Sequence, residues 1–237
     1  MLEKWEELPE KLKNEETKKY YEILENKKIQ LVLKRIIDIV GSFILLLLLF
    51  PIMLIIAILI KIDSKGPIFY RQERITTYGR AFKIFKFRTM VQNADKIGSL
   101  VTIGEDPRIT KIGKIIRKLR VDEIPQVINV LIGDMSFVGT RPEVKKYVDK
   151  YTDEMKSTLL MPAGVTSIAS IKYKDEDEII SKYINNGEKV DDIYINRVLP
   201  EKMKYNLEYI TKFSVFYDIK ICIETVIGVL KWYVVEM

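Results

Sequence analysis

The feature that most constrains the fold of this chain is a near-continuous apolar run from Ile36 to Ile60. A helix of that length reaches roughly 37 Å at about 1.5 Å per residue, and the hydrocarbon core of a bilayer is about 30 Å thick. Pro51 lies near the middle of the run. Because proline lacks a backbone donor and clashes with the preceding turn, we expect a bend near Phe50 and Pro51. The run predicts a membrane protein.

Basic residues flank this run on both sides. They are Lys18, Lys19, Lys27, Lys28, Lys34 and Arg35 before it, and Lys61, Lys65, Arg71, Arg74 and Arg80 after it. Basic residues near a membrane segment favour the cytoplasmic side, so both ends are expected there. A hairpin that enters the bilayer after Lys34 and Arg35, turns at Pro51 and leaves on the same side satisfies both flanks. An ordinary span with a proline kink is the alternative, and the residues leave it open.

Composition excludes several kinds of chemistry. The chain has 237 residues, a formal charge of +6, no histidine and one cysteine, Cys222. A Ser-His-Asp triad, an HExxH zinc helix, an internal disulfide and a multi-cysteine zinc site are therefore excluded. A bound metal would have oxygen ligands, which favours Mg²⁺ or a similar hard cation. Positive charge beside a membrane segment favours lipid headgroups or a phosphate-bearing substrate over nucleic acid, for which no motif is present.

By composition the chain divides into three parts. Residues 1–33 mix lysine and glutamate densely and predict a solvated or surface helix. Residues 34–62 hold the membrane segment, and residues 63–237 are long enough for one domain with a buried core, which we place on the cytoplasmic face. The start of the chain shows no cleavable signal pattern, so we expect the apolar run to stay in the mature protein.

Short elements after the membrane segment follow from local patterns. Residues 68–72 and 81–88 read as strands around a turn at residues 77–80, which predicts a small β-hairpin. Between Ile109 and Leu119, apolar residues recur at helical spacing opposite basic ones. This pattern predicts a short basic amphipathic helix, suited either to a membrane interface or to a core-facing position.

The last part of the chain carries a second apolar stripe at helical spacing, which ends in Trp232 and Tyr233. Charged residues interrupt it too often for a span, so we interpret it either as an interfacial helix with aromatic anchors or as a packed helix. The predicted fold class is therefore α+β and mostly helical. It combines a re-entrant membrane helix hairpin, a small β-hairpin and amphipathic interfacial helices.

Adjacent carboxylates at Asp122 and Glu123 form the polar cluster most suggestive of chemistry. Asp122 sits where a helix N-cap would, and Pro125 fits the first turn of a helix, so capping alone explains the pair. The pair also follows a basic helix, and one carboxylate could attack phosphorus while its neighbour holds a metal ion. Both interpretations stay open from the residues alone.

Arginine and lysine side chains near these carboxylates are candidates for binding phosphate. Arg141 precedes a proline, which biases its backbone away from helix, and its planar guanidinium suits bidentate phosphate binding. A structural salt bridge is the alternative for Arg141. Lys86 and Arg88 lie on the predicted β-hairpin, where they could bind anions or contact lipid headgroups.

The order of these motifs resembles that of the bacterial sugar transferases, a family of polyprenyl-phosphate glycosyl-1-phosphate transferases. The resemblance covers about residues 34–225, and each motif is weak alone whereas the ordered set is specific. The matching segments are Lys34-Arg35 and residues 66–74, 82–90, 106–110, 122–126 and 133–142.

The resemblance implies a compact enzyme at the cytoplasmic face of the bacterial inner membrane. Such an enzyme transfers a sugar phosphate from a UDP-sugar to undecaprenyl phosphate and releases UMP. It implies that Asp122 is the nucleophile, which forms an aspartyl phosphosugar, and that Glu123 helps to hold Mg²⁺. Arg117 and Arg141 would bind phosphates, and we extend that expectation to Lys86 and Arg88. Membrane lipids would be partners, and formation of a homo-oligomer is left open.

A catalytically silent membrane-surface scaffold of a glycan-assembly complex is the alternative function. The intact Asp122-Glu123 pair argues against it, because a silent relative need not keep both carboxylates. Two segments depart from the family pattern: Thr140-Arg141-Pro142 replaces Pro-Arg-Pro, and Pro162-Ala163-Gly164 replaces Arg-Pro-Gly. These departures touch regions expected to bind the nucleotide sugar, so the sequence assigns no particular sugar.

Overall fold

Helices make up most of the structure, a computed structural model that describes residues 2–94, 106–173, 176–184 and 188–236, with the backbone alone at 176–178 and 232–236. The helices are α1 (Glu15–Glu25), α2 (Lys28–Asp63), α3 (Lys111–Lys118), α4 (Gln126–Ile132), α5 (Lys145–Val148), α6 (Asp153–Lys156), α7 (Ile168–Lys172), α8 (Glu176–Ile184), α9 (Val190–Ile193), α10 (Leu199–Lys212) and α11 (Val215–Glu236). The strands are β1 (Phe69–Ile75), β2 (Ala81–Phe87), β3 (Met135–Val138) and β4 (Ala163–Thr166). The prediction of a mostly helical α+β fold is confirmed.

The apolar run lies within the long helix α2. Among the described residues, α2 is the one helix long and apolar enough to cross a membrane, judged by length and composition. Leu47, Leu48 and Phe50 are more than half exposed, whereas Ile56 and Ile60 near its end are buried. The helix runs through the proline at its centre, and the bend expected there stays a prediction.

The predicted β-hairpin is confirmed. β1 and β2 pair antiparallel, with Phe69 opposite Phe87 and Ile75 opposite Ala81. In the turn between them, the φ angle of Gly79 is 77°, a left-handed conformation that glycine adopts without strain. The hairpin carries Lys86 near the end of β2 towards the predicted carboxylate pair.

A second pair of strands, β3 and β4, has no counterpart among the sequence predictions. The strands run parallel, with Met135 opposite Ala163 and Ser136 opposite Gly164. Each strand has four residues, too few to show a clear alternation of apolar and polar side chains. Where β3 ends the two backbones lie close together, because a Cβ on Gly164 of β4 would lie 2.2 Å from the nitrogen of Gly139, the residue after β3. This pair flanks the loop that carries the candidate arginine.

Residues 2–27 pack onto the domain that follows them. Leu8, Tyr21 and Leu24 are buried in a core cluster shared with α10 and α11. Lys27 Nζ donates to two carbonyl oxygens at the end of α10, at 2.9 Å each. The lysine- and glutamate-rich face of α1 lies at the surface, as predicted, while its opposite face forms part of the core, which the sequence interpretation did not include.

Both predicted amphipathic helices expose apolar side chains. Ile116 of α3 is buried against the end of α2, while Ile115 of the same helix and Leu119, just after it, are 55% and 43% exposed. The exposed apolar residues of α11 are Phe216, Ile219, Ile223, Val226, Ile227 and Leu230. The stripe of α11 therefore faces outward along the part whose side chains are described. The proposed aromatic anchors Trp232 and Tyr233 lie outside the residues whose side chains the structure describes.

Candidate active site

The carboxylate pair lies in a turn between α3 and α4, against the end of β2. The backbone N–H of Phe87 donates to the carbonyl of Asp122 at 2.9 Å, and Gln126 N–H donates to the carbonyl of Glu123 at 2.9 Å. Helix α4 begins at Gln126, and Pro125 occupies the cap position without a side-chain cap. The interpretation of Asp122 as a helix N-cap is therefore wrong, because the turn at residues 121–125 separates its side chain from the first helical N–H groups.

Glu123 is held by two cationic side chains. Lys86 Nζ lies 2.6 Å from Glu123 Oε1, and Arg141 Nη2 lies 2.5 Å from the same oxygen. Arg141 Nη1 also donates to Glu123 Oε2 at 3.3 Å. The three residues come from β2, the turn before α4 and the loop after β3. Each was predicted as a site residue, but their mutual contact was not.

Burial and charge shift the pKa values of the two carboxyl groups in opposite directions. Burial alone would raise the pKa of Glu123, but the charges of Arg141 and Lys86 outweigh it and hold that pKa well below its usual range. Burial, and next the negative charge of Glu123, raise the pKa of Asp122 although Lys86 and Arg117 oppose them. Two carboxylates with divergent pKa values suit two roles, and Asp122 is the more basic of the pair.

The other two predicted phosphate ligands differ in their surroundings. Arg117 lies in the last turn of α3, half-buried and near enough to Asp122 to lower its pKa. Arg88 is buried and donates to the carbonyls of Ser64 and Lys65, at 2.7 and 3.0 Å, where α2 leads into β1. These bonds give Arg88 a structural role at the end of α2, and phosphate binding by Arg88 stays a prediction.

Lys34 and Arg35, predicted to mark the start of the membrane hairpin, bind within the protein. Lys34 is buried, and its Nζ lies 2.5 Å from Asp218 Oδ2 and 2.8 Å from the carbonyl of Val138. Arg35 donates to the carbonyls of Val130 and Leu131 at the end of α4, at 2.7 and 2.8 Å. Cations at these carbonyls complement the negative end of the helix dipole. Both side chains thus tie α2 to the domain.

Sequence reasoning missed two acidic residues that complete this attachment. Asp38 accepts from Ser136 Oγ at 3.0 Å and from Phe137 N–H at 3.1 Å, and so binds α2 to β3. Asp218 accepts from Tyr209 Oη at 2.7 Å as well as from Lys34. A signal for Asp38 was present, because an ionisable residue inside an apolar run usually has a partner in the fold.

The loop that carries Arg141 is fixed from several sides. Gly164 N–H donates to the carbonyl of Thr140 at 2.9 Å, and Arg74 Nη1 donates to the carbonyl of Pro142 at 3.1 Å. Glu143, which is buried, accepts from Tyr194 Oη at 2.5 Å. The loop therefore keeps defined bonds on both sides of Arg141 although Thr140 replaces the proline of the family pattern.

The carboxylate pair fits magnesium only in part. Within the described ranges, no group of three or more acidic, histidine or cysteine residues converges as a metal cage. Magnesium commonly uses one or two carboxylates and takes its other ligands from water and substrate phosphates. Asp122 and Glu123 match that pattern, although Lys86 and Arg141 already contact the oxygens of Glu123. A metal here would depend on an anionic substrate for further ligands and for drawing those cations away.

Adjacent carboxylates flanked by basic groups, in a chain whose long helix has an exposed apolar middle, indicate a membrane-associated protein with a polar site between cationic side chains. A family model described as bacterial sugar transferase matches residues 29–232. The chain belongs to the bacterial sugar transferase family, and the predicted resemblance is confirmed.

Curated relatives carry names that agree with this family. The chain is 36% identical over 197 residues to a UDP-N-acetylgalactosamine-undecaprenyl-phosphate N-acetylgalactosaminephosphotransferase of Aeromonas hydrophila, covering 82% of this chain and 43% of that protein. It is 36% identical over 200 residues to a UDP-glucose:undecaprenyl-phosphate glucose-1-phosphate transferase of Escherichia coli, covering 82% and 39%. The chain thus spans about two fifths of these relatives. An uncharacterised sugar transferase of Bacillus subtilis is 34% identical over 202 residues, covering 84% and 88%.

Proposed function

We propose that this chain transfers a sugar phosphate from a UDP-sugar to undecaprenyl phosphate and so begins the assembly of a glycan. The observation that carries the proposal is the contrast between the two adjacent carboxylates. Glu123 is held ionised by Lys86 and Arg141, while burial and the charge of Glu123 make Asp122 more basic. The names of the relatives support the substrate classes, and the particular sugar is left unassigned.

In the first step a carboxylate oxygen of Asp122 attacks the phosphorus next to the sugar. A P–O bond forms to Asp122 as the P–O bond to UMP breaks, which leaves an aspartyl phosphosugar and free UMP. In the second step a phosphate oxygen of undecaprenyl phosphate attacks the same phosphorus and the aspartate leaves. The product is a lipid-linked diphosphate sugar, and Asp122 returns to its carboxylate form.

Cations around the pair would bind the charged phosphates during both steps. Arg141 and Lys86 lie beside Glu123, and Arg117 lies near Asp122. Glu123 would hold Mg²⁺, which supplies charge neutralisation on the transferring group when bound. If Lys86 and Arg141 turn from Glu123 to the substrate phosphates, the positive charge of Mg²⁺ would offset the negative charge that the substrate brings.

We further propose that α2 enters the bilayer and returns to the same face. Two contacts support this proposal: Lys34 and Arg35 bind the domain near the start of α2, and Ile56 and Ile60 pack against it near the end. A span would carry these two ends to opposite sides of the membrane. The exposed apolar faces of α3 and α11 would then rest in the cytoplasmic interface.

The experiment that tests the reaction measures UMP release from a panel of UDP-sugars, with undecaprenyl phosphate, Mg²⁺ and the chain in detergent or nanodiscs. We expect release from one or a few donors and its loss in Asp122→Asn. Asp149→Asn is the matched control, because Asp149 is exposed and pairs with Lys145 on a separate helix.

Mass spectrometry of the peptide that contains Asp122 supplies a second measurement. With donor and no acceptor, the unmodified chain should carry a phosphosugar on that peptide, and Asp122→Asn should not. UMP release that persists in Asp122→Asn would contradict the nucleophile assignment. Absence of both release and adduct across the panel would favour the scaffold alternative.

A further inference from the structure

Within the part of the chain that the structure describes, one edge of β2 is bonded by the segment that carries the carboxylate pair and not by another strand. Alternate residues of an antiparallel strand direct their N–H and C=O groups to opposite sides, and β1 takes one side. On the other side, the N–H of Phe85 donates to Asn129 Oδ1 at 2.8 Å, and Asn129 Nδ2 donates to the carbonyl of Lys83 at 3.1 Å. The N–H of Phe87 donates to the carbonyl of Asp122 at 2.9 Å.

Asn129 thus supplies what a neighbouring strand would supply. Its side-chain amide has a donor and an acceptor arranged like those of a peptide group, and it meets one acceptor and one donor of β2. The side chain is fully buried, and its Nδ2 also lies 3.4 Å from Asp134 Oδ2. A carboxylate at this position would set an acceptor against the carbonyl of Lys83. An aliphatic side chain would leave the N–H of Phe85 without its acceptor.

The two attachments lie on either side of Lys86. Asn129 holds the residue before Lys86, and Asp122 holds the residue after it. The backbone of Lys86 is therefore fixed relative to the turn that carries Asp122 and Glu123. The contact between Lys86 Nζ and Glu123 Oε1, at 2.6 Å, follows from this register.

We propose that Asn129 is a positioning residue that locks β2 to α4, so that Lys86 reaches the carboxylate pair. The inference rests on the proposed function for its consequence in catalysis, since the pair is taken as the reacting site. A displacement of about 1 Å at a reacting centre can lower a rate about 100-fold. Loss of the Asn129 amide should therefore lower the rate constant of the chemical step strongly, and it should lower the stability of the fold less.

The test compares Asn129→Leu with Thr17→Val, a control that also removes a polar group from a fully buried side chain. Thr17 belongs to α1, where its Oγ1 donates to the carbonyl of Asp153 at 3.3 Å. The rate constant of the first UMP release, measured in a single turnover, should fall about 100-fold in Asn129→Leu. It should keep its unmodified value in Thr17→Val. An unchanged rate constant in a folded Asn129→Leu would overturn the proposal.

A double-mutant cycle supplies a readout that does not depend on activity. Lys86→Met and Glu123→Gln are made singly and together, and the thermal unfolding midpoint of each variant is measured. The difference between the shift of the double variant and the sum of the two single shifts gives their coupling. The coupling should be present in the unmodified and Thr17→Val backgrounds and absent in Asn129→Leu. Coupling that survives in Asn129→Leu would contradict the positioning role. A chain that shows the coupling but releases no UMP would count against the proposed function alone.

Hydrogen exchange keeps the inference testable if Asn129→Leu does not fold. Asn129→Ala then replaces it, and the unmodified chain is examined directly. The backbone amide of Phe85 should exchange slowly, as the amides bonded between β1 and β2 do. Rapid exchange at Phe85 would overturn the proposal without any variant.

Discussion

At the scale of single residues, the site shows how one short segment gives neighbouring carboxyl groups opposite properties. Glu123 points at Lys86 and Arg141, and their charges outweigh the effect of burial on its pKa. For Asp122, burial and the adjacent negative charge act together and raise the pKa. In the described part of the chain, no cationic side chain forms an ion pair with Asp122, whereas two do so with Glu123. This difference favours Asp122 as the nucleophile.

The pKa of Asp122 leads to a prediction for the pH dependence of activity. Lys86 lowers the pKa of Asp122, so Lys86→Met should raise it further. A nucleophile reacts as the carboxylate, and a higher pKa delays ionisation as pH rises. The acid limb of the kcat/KM profile should therefore move to higher pH. The value of kcat/KM itself should fall on the order of 100-fold, as when one donor to a reacting group is removed.

The control for this profile is Lys83→Met, which removes an exposed lysine from the same strand. Its acid limb should coincide with that of the unmodified chain. A limb that moves to lower pH in Lys86→Met would mean that it does not report the ionisation of Asp122.

At the scale of elements, local sequence patterns correctly predicted the long apolar helix α2, the β-hairpin and the amphipathic helix α3. A strand–turn–strand pattern identified β1 and β2, and helical spacing identified α3 between Ile109 and Leu119, where the structure has Lys111–Lys118. The parallel pair β3 and β4 could not be found in this way. Parallel pairing joins segments far apart in sequence, and its strands have four residues each.

The attachment of both ends of α2 to one domain predicts the topology of that helix. Cysteine is introduced at Lys18 or at Lys65, both exposed, in a Cys222→Ser background. In intact cells neither site should react with an impermeant maleimide, and both should react after the membrane is permeabilised so that the reagent reaches the cytoplasmic side. A cysteine at Leu48, in the exposed middle of α2, should stay shielded by lipid in both cases.

The informative outcome is agreement between the two sites, because a hairpin returns both to one face. If Lys18→Cys and Lys65→Cys react from opposite sides, α2 is a span. The proposed active site would then need a different route to the proposed lipid phosphate acceptor.

At the scale of the whole molecule, a buried ion pair joins the first and last long helices. Lys34 of α2 and Asp218 of α11 lie 184 residues apart, and their side chains are 5% and 12% exposed. Tyr209 of α10 donates to the same carboxylate. The membrane helix is thus held by a network whose residues come from both ends of the chain. The network therefore forms only when most of the chain has folded.

Removing one partner of this pair should be costly. Lys34→Met leaves Asp218 buried without its cation, and we expect a loss of about 3–5 kcal/mol in the free energy of unfolding. Lys34→Met combined with Asp218→Asn should recover part of that loss, because the buried charge is also gone. Thermal unfolding in detergent measures both.

Lys145→Met serves as the control, because Lys145 and Asp149 are 68% and 56% exposed. Its effect should lie within about 0.5 kcal/mol. A loss in Lys34→Met no larger than that of Lys145→Met would show that the buried pair does not hold α2 to the domain.

Residues 2–27 give a second prediction at this scale. Leu24 of α1 is fully buried in the shared core, whereas Glu22 on the same helix is exposed. Leu24→Ala should cost about 2–5 kcal/mol in unfolding free energy, and Glu22→Ala should have little effect. Equal effects of the two substitutions on thermal unfolding would mean that this segment is a dispensable surface layer.

The sequence by itself determined the long apolar helix, the β-hairpin and the amphipathic helices, and it supplied the candidate site residues. These features depend on periodicity and on ordered motifs, which are local properties of the chain. Tertiary structure alone decided that Lys86, Glu123 and Arg141 meet, and that Lys34 finds Asp218. Contacts between residues so far apart depend on how the elements pack, and residue type and spacing do not encode which distant charge a buried side chain will face.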